Sequence, residues 1–263
     1  ATGGRQLVVD GHRKLGLAVE EARGFLAEVG PTLVVLTEVF DPESGCVEVA
    51  PGLDLGFVCE VWEPGEASVA RSVLGEGAQI GCFPGNPDKC LAALPPARFV
   101  GCEGAVCPVE GGAVEGCGKG SRFGVADVEV DGAVWRVTGV HGTSGLSSAD
   151  QACRTAWLEA AFQAGEAEVA LLMGDLNTDP ARFQATDSSA RRLAELAEGW
   201  RWLSDAGGPP TYQGLATLDH VLGRGVEGRC WVPGVGDGGP PATALPTFDH
   251  RPVVCDVRGG SVE

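Results

Sequence analysis

The sequence predicts a single domain of the α/β class, and two observations support that prediction. Short apolar runs typical of buried strands alternate with segments whose apolar residues recur at helical spacing. The chain has 263 residues, enough for one large domain with a substantial core, and no stretch has the composition of a linker. We therefore expect residues 1–263 to form one domain.

The N-terminal part is predicted to contain a strand, a helix and a second strand. Gln6–Asp10 has the pattern of a first strand. Apolar residues at helical spacing predict a helix over Leu15–Val29, which Gly30-Pro31 ends. Leu33–Leu36 follows as a short buried strand. Residues 41–121 are rich in Gly, Pro and Cys, which predicts short strands and long loops held by disulfides.

Regular patterns resume at Phe123. Alternating valines lead from Phe123 to Asp131-Gly132, a hairpin signal, and Ala133–Val140 returns as the second strand of the hairpin. Later patterns predict a helix over residues 151–164 introduced by Ser148-Ala-Asp150, a buried strand over Val169–Met173, and a helix over Ser188–Trp200.

The charge of the chain argues against one class of function. The formal net charge is −17 at pH 7, from 36 acidic and 19 basic residues. Such a charge repels polyanions, which argues against tight or sequence-specific binding of nucleic acid. A nuclease is not excluded, because bound divalent cations and a few arginines offset the local field.

The cysteines indicate an oxidising compartment. Their number is ten, an even count without a close pair at zinc-knuckle spacing, which predicts up to five disulfides and secretion. A structural zinc site at Cys102, Cys107 and Cys117 is the alternative. The first residues, Ala-Thr-Gly-Gly without methionine, are compatible with a processed form or a trimmed chain. No apolar run approaches the roughly 18 residues that span a bilayer.

The sharpest functional motif follows the predicted strand Val169–Met173. Asp175 and Asn177 come after Gly174, two positions apart, so that along an extended chain both side chains point to the same side. A carboxylate and a carboxamide at the end of a core strand suit a metal and a phosphate oxygen. Asn and Asp also close ordinary turns, so this motif alone is weak evidence.

Three further motifs place an acid or a histidine at the polar end of an apolar stretch. They are Leu-Thr-Glu-Val at 36–39, Val-Thr-Gly-Val-His at 137–141, and the pair Thr-Leu-Asp-His-Val-Leu at 217–222 and Thr-Phe-Asp-His-Arg-Pro-Val-Val at 247–254. With these motifs in this order, the chain resembles the endonuclease/exonuclease/phosphatase superfamily, and in particular its pancreatic-type deoxyribonuclease-like members, from about residue 6 to 257. The resemblance implies an α+β fold, a four-layered α/β sandwich of two packed mixed β-sheets flanked by helices, with the site at one end.

The chemistry that these residues suit is metal-assisted attack of water on a phosphate ester. His250 is the candidate general base and Asp219 the carboxylate that orients its ring. His141 resembles the second catalytic histidine, whose carboxylate partner we cannot place within residues 41–121. The candidate catalytic residues are His250, Asp219, His141, Asp175 and Asn177.

The predicted metal ligands are hard oxygen donors, which suit Mg²⁺ first and also Mn²⁺ or Ca²⁺. They are Glu38, Asp249, Asp10 and Asp175, of which Asp10 departs from the Asn that the family usually has. Arg122 and Asn177 are the candidate phosphate contacts, and Tyr212 could stack on a base. An ordinary surface acid at Glu38 and a solvated loop arginine at Arg122 are the alternative interpretations. We expect His12 to be a surface histidine and His220 to be structural.

The resulting hypothesis is a secreted, divalent-metal-dependent phosphoesterase, namely a nonspecific nuclease that acts on phosphodiesters as a monomer without membrane insertion. One alternative is a phosphomonoesterase or a phosphodiesterase of lipid head groups or small molecules, and another is an inactive extracellular binding module. The resemblance also implies that the segments holding Cys230 and Cys255 are neighbours, which predicts a disulfide between them. Local pairing is expected among Cys82, Cys90, Cys102, Cys107 and Cys117.

Overall fold

The structure of the protein is a computed structural model, and it describes residues 12–38, 69–235 and 248–260. Within these ranges the chain forms four α-helices and eleven strands. The helices are α1 (His12–Val29), α2 (Val69–Leu74), α3 (Ser148–Ala164) and α4 (Ser188–Leu196). The strands are β1 (Leu33–Leu36), β2 (Gln79–Phe83), β3 (Asn86–Ala93), β4 (Arg98–Phe99), β5 (Phe123–Val130), β6 (Ala133–His141), β7 (Ala170–Asp175), β8 (Arg201–Trp202), β9 (Asp219–Arg224), β10 (Val226–Trp231) and β11 (Val254–Gly259).

The described strands form three sheets. The largest has six strands in the order β4-β5-β6-β7-β9-β8, and it is mixed because β6 and β7 are parallel while its other neighbours are antiparallel. The second sheet has the order β1-β3-β2 and contains only antiparallel pairs among its described strands. Strands β10 and β11 form a separate antiparallel pair.

Three hydrophobic clusters show how the layers stack. The first lies between the two larger sheets, where Phe83 and Leu91 pack against the backbone of Gly139 because a glycine leaves the room. The second lies between the outer face of the six-stranded sheet and helices α3 and α4, around the fully buried Trp157. The third joins Ala70 of α2 to the outer face of the three-stranded sheet. Helices therefore flank both sheets, which confirms the predicted four-layered α+β sandwich.

The hairpin signal at Asp131-Gly132 is confirmed. Both residues have positive φ, 50° and 80°, the backbone that a two-residue hairpin turn requires. Strand β6 extends to His141, one residue beyond the predicted end. The predicted strand Gln6–Asp10 lies outside the described residues.

The helices begin and end a few residues from the predicted positions. Helix α3 begins at Ser148, because Ser147 and Asp150 form a capping box that satisfies the first free N–H groups. The predicted end of α4 at Trp200 is wrong. The helix stops at Leu196, and Gly199 with φ of 80° turns the chain so that the Trp200 ring packs 5.3 Å from that of Phe162.

Four disulfides join the eight described cysteines. The predicted Cys230–Cys255 bond is confirmed, and the two residues face each other across β10 and β11. The local pairs Cys82–Cys90 and Cys102–Cys107 agree with the prediction. Because Cys102 and Cys107 are bonded to each other, they do not form the alternative zinc site. Local pairing of Cys117 is wrong, because Cys117 is bonded to Cys153 of α3. Val114 and Cys117 pack against the cluster beneath α3, which carries this loop away from the other cysteines.

None of the helices in the described ranges is long and apolar enough to cross a membrane.

Candidate active site

Three of the predicted residues lie in one row across neighbouring strands of the six-stranded sheet. His141 at the end of β6 pairs with Asp175 at the end of β7, and Asp175 pairs with Asp219 at the start of β9. Gly174 allows β7 to lie this close to β6, because its φ is 140° and a Cβ there would lie 2.1 Å from the Val140 carbonyl oxygen. The register of the sheet therefore assembles residues that are far apart in sequence.

His250 and Asp219 form a hydrogen-bonded pair. The distance from His250 Nδ1 to Asp219 Oδ2 is 2.7 Å. Burial lowers the pKa of His250, but the hydrogen bond and charge of Asp219 more than offset that effect, so the pKa is raised. The same interaction holds the pKa of Asp219 below its usual value despite burial. The pair therefore stabilises a protonated imidazole.

Two further residues hold this pair in place. The Thr211 hydroxyl accepts a hydrogen bond from the backbone N–H of Asp219 at 3.1 Å. The Tyr212 ring lies 4.9 Å from the His250 ring, and the two residues form an isolated β-bridge. Tyr212 thus contacts His250, the candidate general base. From the sequence, Tyr212 was expected only to stack on a nucleobase of the substrate.

Asp175 lies between the two histidines. Its Oδ2 is 3.7 Å from His141 Nε2 and 3.9 Å from His250 Nε2, both too long for a hydrogen bond. Asn177 donates to both carboxylate oxygens, from its backbone N–H at 2.8 Å and from Nδ2 at 3.1 Å. Burial, together with the charge of Asp219, raises the pKa of Asp175 to about 7.

Glu38 approaches the row from the three-stranded sheet. Its Oε1 is 3.6 Å from His141 Nε2, and its φ of 56° is unusual for a residue other than glycine. Burial raises the pKa of Glu38, a change that the charge of Lys89 opposes. Among the described residues, the carboxylates within 4 Å of His141 are those of Glu38 and Asp175.

His141 is buried in surroundings that favour its neutral form. Burial, with the charges of Lys89 and Arg122, lowers its pKa well below the usual value. Its Nδ1 is buried and has no hydrogen-bond partner. Arg122 lies beside it, because the Arg122 carbonyl accepts from the His141 backbone N–H at 2.9 Å and Arg122 Nη1 donates to the Gly142 carbonyl at 3.3 Å.

Lys89 also belongs to the site, although its sequence pattern did not predict it. Leu91 faces Gly139 across the two sheets, so Lys89, two residues earlier on the same face of β3, points toward the level of His141. Lys89 is 5% exposed, and its ammonium group binds Asp88 at 2.7 Å. The one available signal was a lysine at an inward position of a strand, directly before the apolar run that begins at Cys90.

Asp249 and Asp10 complete the predicted set. The Asp249 carbonyl accepts from the Gln213 backbone N–H at 3.1 Å, and its Oδ1 is buried without a hydrogen-bond partner. Its charge acts on Glu38, which places the two carboxylates in the same electrostatic neighbourhood. Asp10 lies outside the described residues.

His220, on the other side of β9 from Asp219, is fully buried, and its Nε2 lies 3.0 Å from the Thr178 carbonyl.

These carboxylates fit a divalent cation. The buried Oδ1 of Asp249 has no hydrogen-bond partner, and burial together with the charge of Asp219 raises the pKa of Asp175, so a cation would stabilise both carboxylates. Within the described parts of the chain, Asp175, Asp219 and His250 also offer ligand atoms that all lie within 4.8 Å of one another. This set shares only Asp175 with the predicted ligands.

Comparison with solved structures shows the same fold in several proteins. An endonuclease/exonuclease/phosphatase from Beutenbergia cavernae is 20% identical with a TM-score of 0.56, and the match covers 94% of this chain and 66% of that one, about two thirds of its length. D. rerio TDP2 complexed with single-strand DNA product is 15% identical with a TM-score of 0.57, covering 93% of this chain and 92% of that one. The 3′ phosphatase NExo from Neisseria, bound to product DNA hairpin, is 15% identical with a TM-score of 0.54, covering 92% and 95%.

Sequence comparison gives a family but no close relative. No curated protein matches the chain significantly. The model of the Endonuclease/Exonuclease/phosphatase family matches residues 23–244, which is most of the chain and includes all the motifs except Asp249 and His250. The chain therefore belongs to the endonuclease/exonuclease/phosphatase family, whose members are hydrolases of phosphoester bonds.

Proposed function

We propose that this protein is a secreted, divalent-metal-dependent phosphodiesterase that cleaves nucleic acid without sequence preference. The observation that carries the proposal is the His250–Asp219 pair, joined at 2.7 Å, whose free Nε2 faces Asp175 at 3.9 Å. A histidine with one nitrogen held by a carboxylate presents the other to a water molecule as a general base. The buried polar row around it supplies the place for a phosphate.

His250 takes the proton from the attacking water at Nε2. The water oxygen forms a bond to phosphorus, the bond from phosphorus to the leaving oxygen breaks, and that oxygen takes up a proton from solvent. Asp219 stabilises the imidazolium that forms, which is the effect that raises the pKa of His250. Tyr212 and Thr211 keep the pair aligned.

Asn177, Arg122 and His141 act on the phosphate. The amide of Asn177 and the guanidinium of Arg122 are donors suited to the non-bridging oxygens. Both now donate to the Gly142 carbonyl, which keeps their ends close together. His141 remains neutral because of its burial and supports the leaving oxygen through a hydrogen bond.

Glu38, Asp175 and Asp249 hold the cation in this proposal, with Asp10 as a fourth ligand. These residues would hold Mg²⁺, or Mn²⁺ or Ca²⁺ in its place, which would supply positive charge next to the phosphate. The buried Oδ1 of Asp249 without a hydrogen-bond partner supports this assignment.

Nucleic acid as the substrate rests on the structural relatives that are bound to DNA. Because the relative from Neisseria is a 3′ phosphatase, a phosphomonoesterase is the second candidate. Secretion is supported by the four disulfides, which persist in oxidising compartments. We propose that the protein acts there as a monomer.

A substrate panel tests the proposal. Purified protein is assayed on plasmid DNA, RNA, bis(p-nitrophenyl) phosphate, p-nitrophenyl phosphate and sphingomyelin vesicles, with and without EDTA. We expect cleavage of DNA and of the small diester, complete loss in EDTA, and recovery on addition of excess Mg²⁺. Full activity in excess chelator contradicts the metal mechanism, and turnover of p-nitrophenyl phosphate alone favours the phosphomonoesterase.

Substitution of the proposed ligands tests the site. Glu38→Ala and Asp249→Ala should each lower kcat/KM by at least about 100-fold while thermal unfolding is little changed, because each removes an oxygen ligand of the proposed cation without altering the apolar core. Glu103→Ala, at an exposed acid on the loop between β4 and β5, is the matched control and should retain full activity. Equal activity in all three variants would remove these carboxylates from the mechanism.

A further inference from the structure

Arg154 of α3 is a buried arginine beneath the site. It is 1% exposed, and an arginine withheld from water needs acceptors for its donors. Its Nε donates to Ser189 Oγ at 2.7 Å and its Nη2 to Asp187 Oδ2 at 2.9 Å. Its Nη1 donates to the carbonyls of Thr143 and Gly145. These acceptors come from two separate segments, so the guanidinium joins them.

The first segment, residues 142–145, directly follows His141. Its Gly142 carbonyl is the acceptor for both proposed phosphate contacts, Asn177 Nδ2 at 3.0 Å and Arg122 Nη1 at 3.3 Å. The segment runs close to β7, because a Cβ on Gly142 would lie 2.4 Å from the Leu176 carbonyl oxygen. The position of this segment therefore determines where the two donors are held.

The second segment begins with Asp187, the N-cap of α4. Asp187 Oδ2 also accepts from the Thr178 hydroxyl at 3.1 Å, and Thr178 directly follows Asn177. The Thr178 carbonyl in turn lies 3.0 Å from His220 Nε2, next to Asp219. A buried chain of polar contacts thus runs from Arg154 through Asp187 and Thr178 to His220, and its last two members directly follow Asn177 and Asp219 in the sequence.

Asn177 needs such support. Its φ is 52°, in the left-handed region, which asparagine adopts more readily than other residues with a side chain, but the direction of its side-chain amide still depends on the neighbouring contacts. Arg154 reaches Asn177 from two directions, through the Gly142 carbonyl and through Asp187 and Thr178. Lysine cannot replace it, because a single ammonium group does not span four acceptors in the plane of a guanidinium.

We propose that Arg154, with Asp187, is a positioning residue that fixes the side-chain amide of Asn177 toward the phosphate. This proposal rests on the proposed function for its catalytic consequence, but the orientation of the amide is measurable without any reaction. Arg154 contacts no substrate atom and acts only through segment 142–145 and Thr178.

The first test is NMR of the side-chain amide of Asn177, assigned by the signal that disappears in Asn177→Ala. Arg154→Lys and the isosteric Thr178→Val should both displace or broaden this signal. The matched control is Arg136→Lys, since Arg136 likewise binds Asp127, Glu110 and a carbonyl of α3, but at the far end of β6, roughly 16 Å from His141 at about 3.3 Å per residue. An unchanged Asn177 signal in folded Arg154→Lys and Thr178→Val overturns the proposal, and Thr178→Val decides alone if the arginine variant does not fold.

The second test is kinetic and is performed well below the melting temperature of each variant. Arg154→Lys should lower kcat by about 10- to 100-fold with a smaller change in KM, while Arg136→Lys changes neither. In a variant that already carries Asn177→Ala, Arg154→Lys should lower kcat little further, because the two residues act as one unit. If the double variant loses as much kcat as the product of the two single losses, Arg154 does not position Asn177. A wild-type protein inactive on every substrate refutes the proposed function, and the NMR result still decides the positioning.

Discussion

His250 and Asp219 depend on each other at the scale of single residues. The carboxylate fixes the ring and stabilises its protonated form, so that in the proposed mechanism both residues serve the same proton transfer. We expect His250→Ala to lower kcat by roughly 10²- to 10⁴-fold, the usual range for a general base, and Asp219→Ala to lower it by no more than that. The double variant should lose little beyond His250→Ala.

The measurement is kcat for both single variants and the double variant on one small diester at saturating Mg²⁺. Circular dichroism and thermal unfolding serve as the control for folding. If the two losses multiply, His250 and Asp219 act independently and the proposed dyad is wrong.

The individual site residues differ in how far the sequence can predict them. Asp175, Asn177 and Asp219 stand at ends of apolar runs, where a polar side chain has no role in the core, so their pattern alone draws attention. Lys89 and Arg154 do not stand out, because a basic residue inside a strand or helix usually lies on the solvent side. The acceptors of Arg154 lie up to 35 residues away, as Ser189 does, and no local pattern reveals them. Lys89 binds its neighbour Asp88, but its burial depends on the packing of the two sheets against each other.

The same distinction holds for the elements. The turn at Asp131-Gly132 is fixed by two adjacent residues, and the start of α3 by Ser147 and Asp150, so local chemistry predicts both. The end of α4 depends instead on Trp200 packing against Phe162, a contact between two elements. Pairing of Cys117 with Cys153 likewise follows from the way residues 114–117 lie on α3.

The Cys117–Cys153 bond should be the more stabilising of two loop-closing bonds. It spans 36 residues, whereas Cys102–Cys107 spans 5. Loop-closure entropy predicts a loss of roughly 4 kcal/mol for Cys117→Ala/Cys153→Ala and roughly 2 kcal/mol for Cys102→Ala/Cys107→Ala. Urea unfolding of the two double variants measures the difference. A larger loss in the second variant would show that native contacts around these bonds outweigh the entropy of the unfolded chain.

The four layers of the molecule bring the site residues to one end of the sandwich. Glu38 comes from the end of β1 in one sheet, while His141 and Asp175 come from the ends of β6 and β7 in the other. The apolar core between the sheets fixes the distance between these two groups. Only the resemblance to a family predicted this arrangement, because the stacking of two sheets leaves no periodic signal in the sequence.

The charge of the whole molecule should govern its behaviour toward polymeric substrates. A net charge of −17 repels a polyanion at long range, although Arg122 and Lys89 provide positive charge within the site. Salt screens the long-range repulsion, with a Debye length of about 10 Å at 0.1 M. Most DNA-binding proteins lose affinity with added salt because they release counterions from the DNA. The affinity of this protein for DNA should instead rise as salt is added over the low-salt range.

We therefore expect kcat/KM on plasmid DNA to rise severalfold between about 10 mM and about 100 mM NaCl, at constant Mg²⁺. The same parameter for bis(p-nitrophenyl) phosphate should stay nearly constant, because that substrate carries a single charge and is little affected by the distant field. The small diester thus serves as the control for direct effects of salt on catalysis. A steady fall on DNA over this range would mean that positive charge near the cleft, rather than the net charge of the molecule, governs the approach of the polymer.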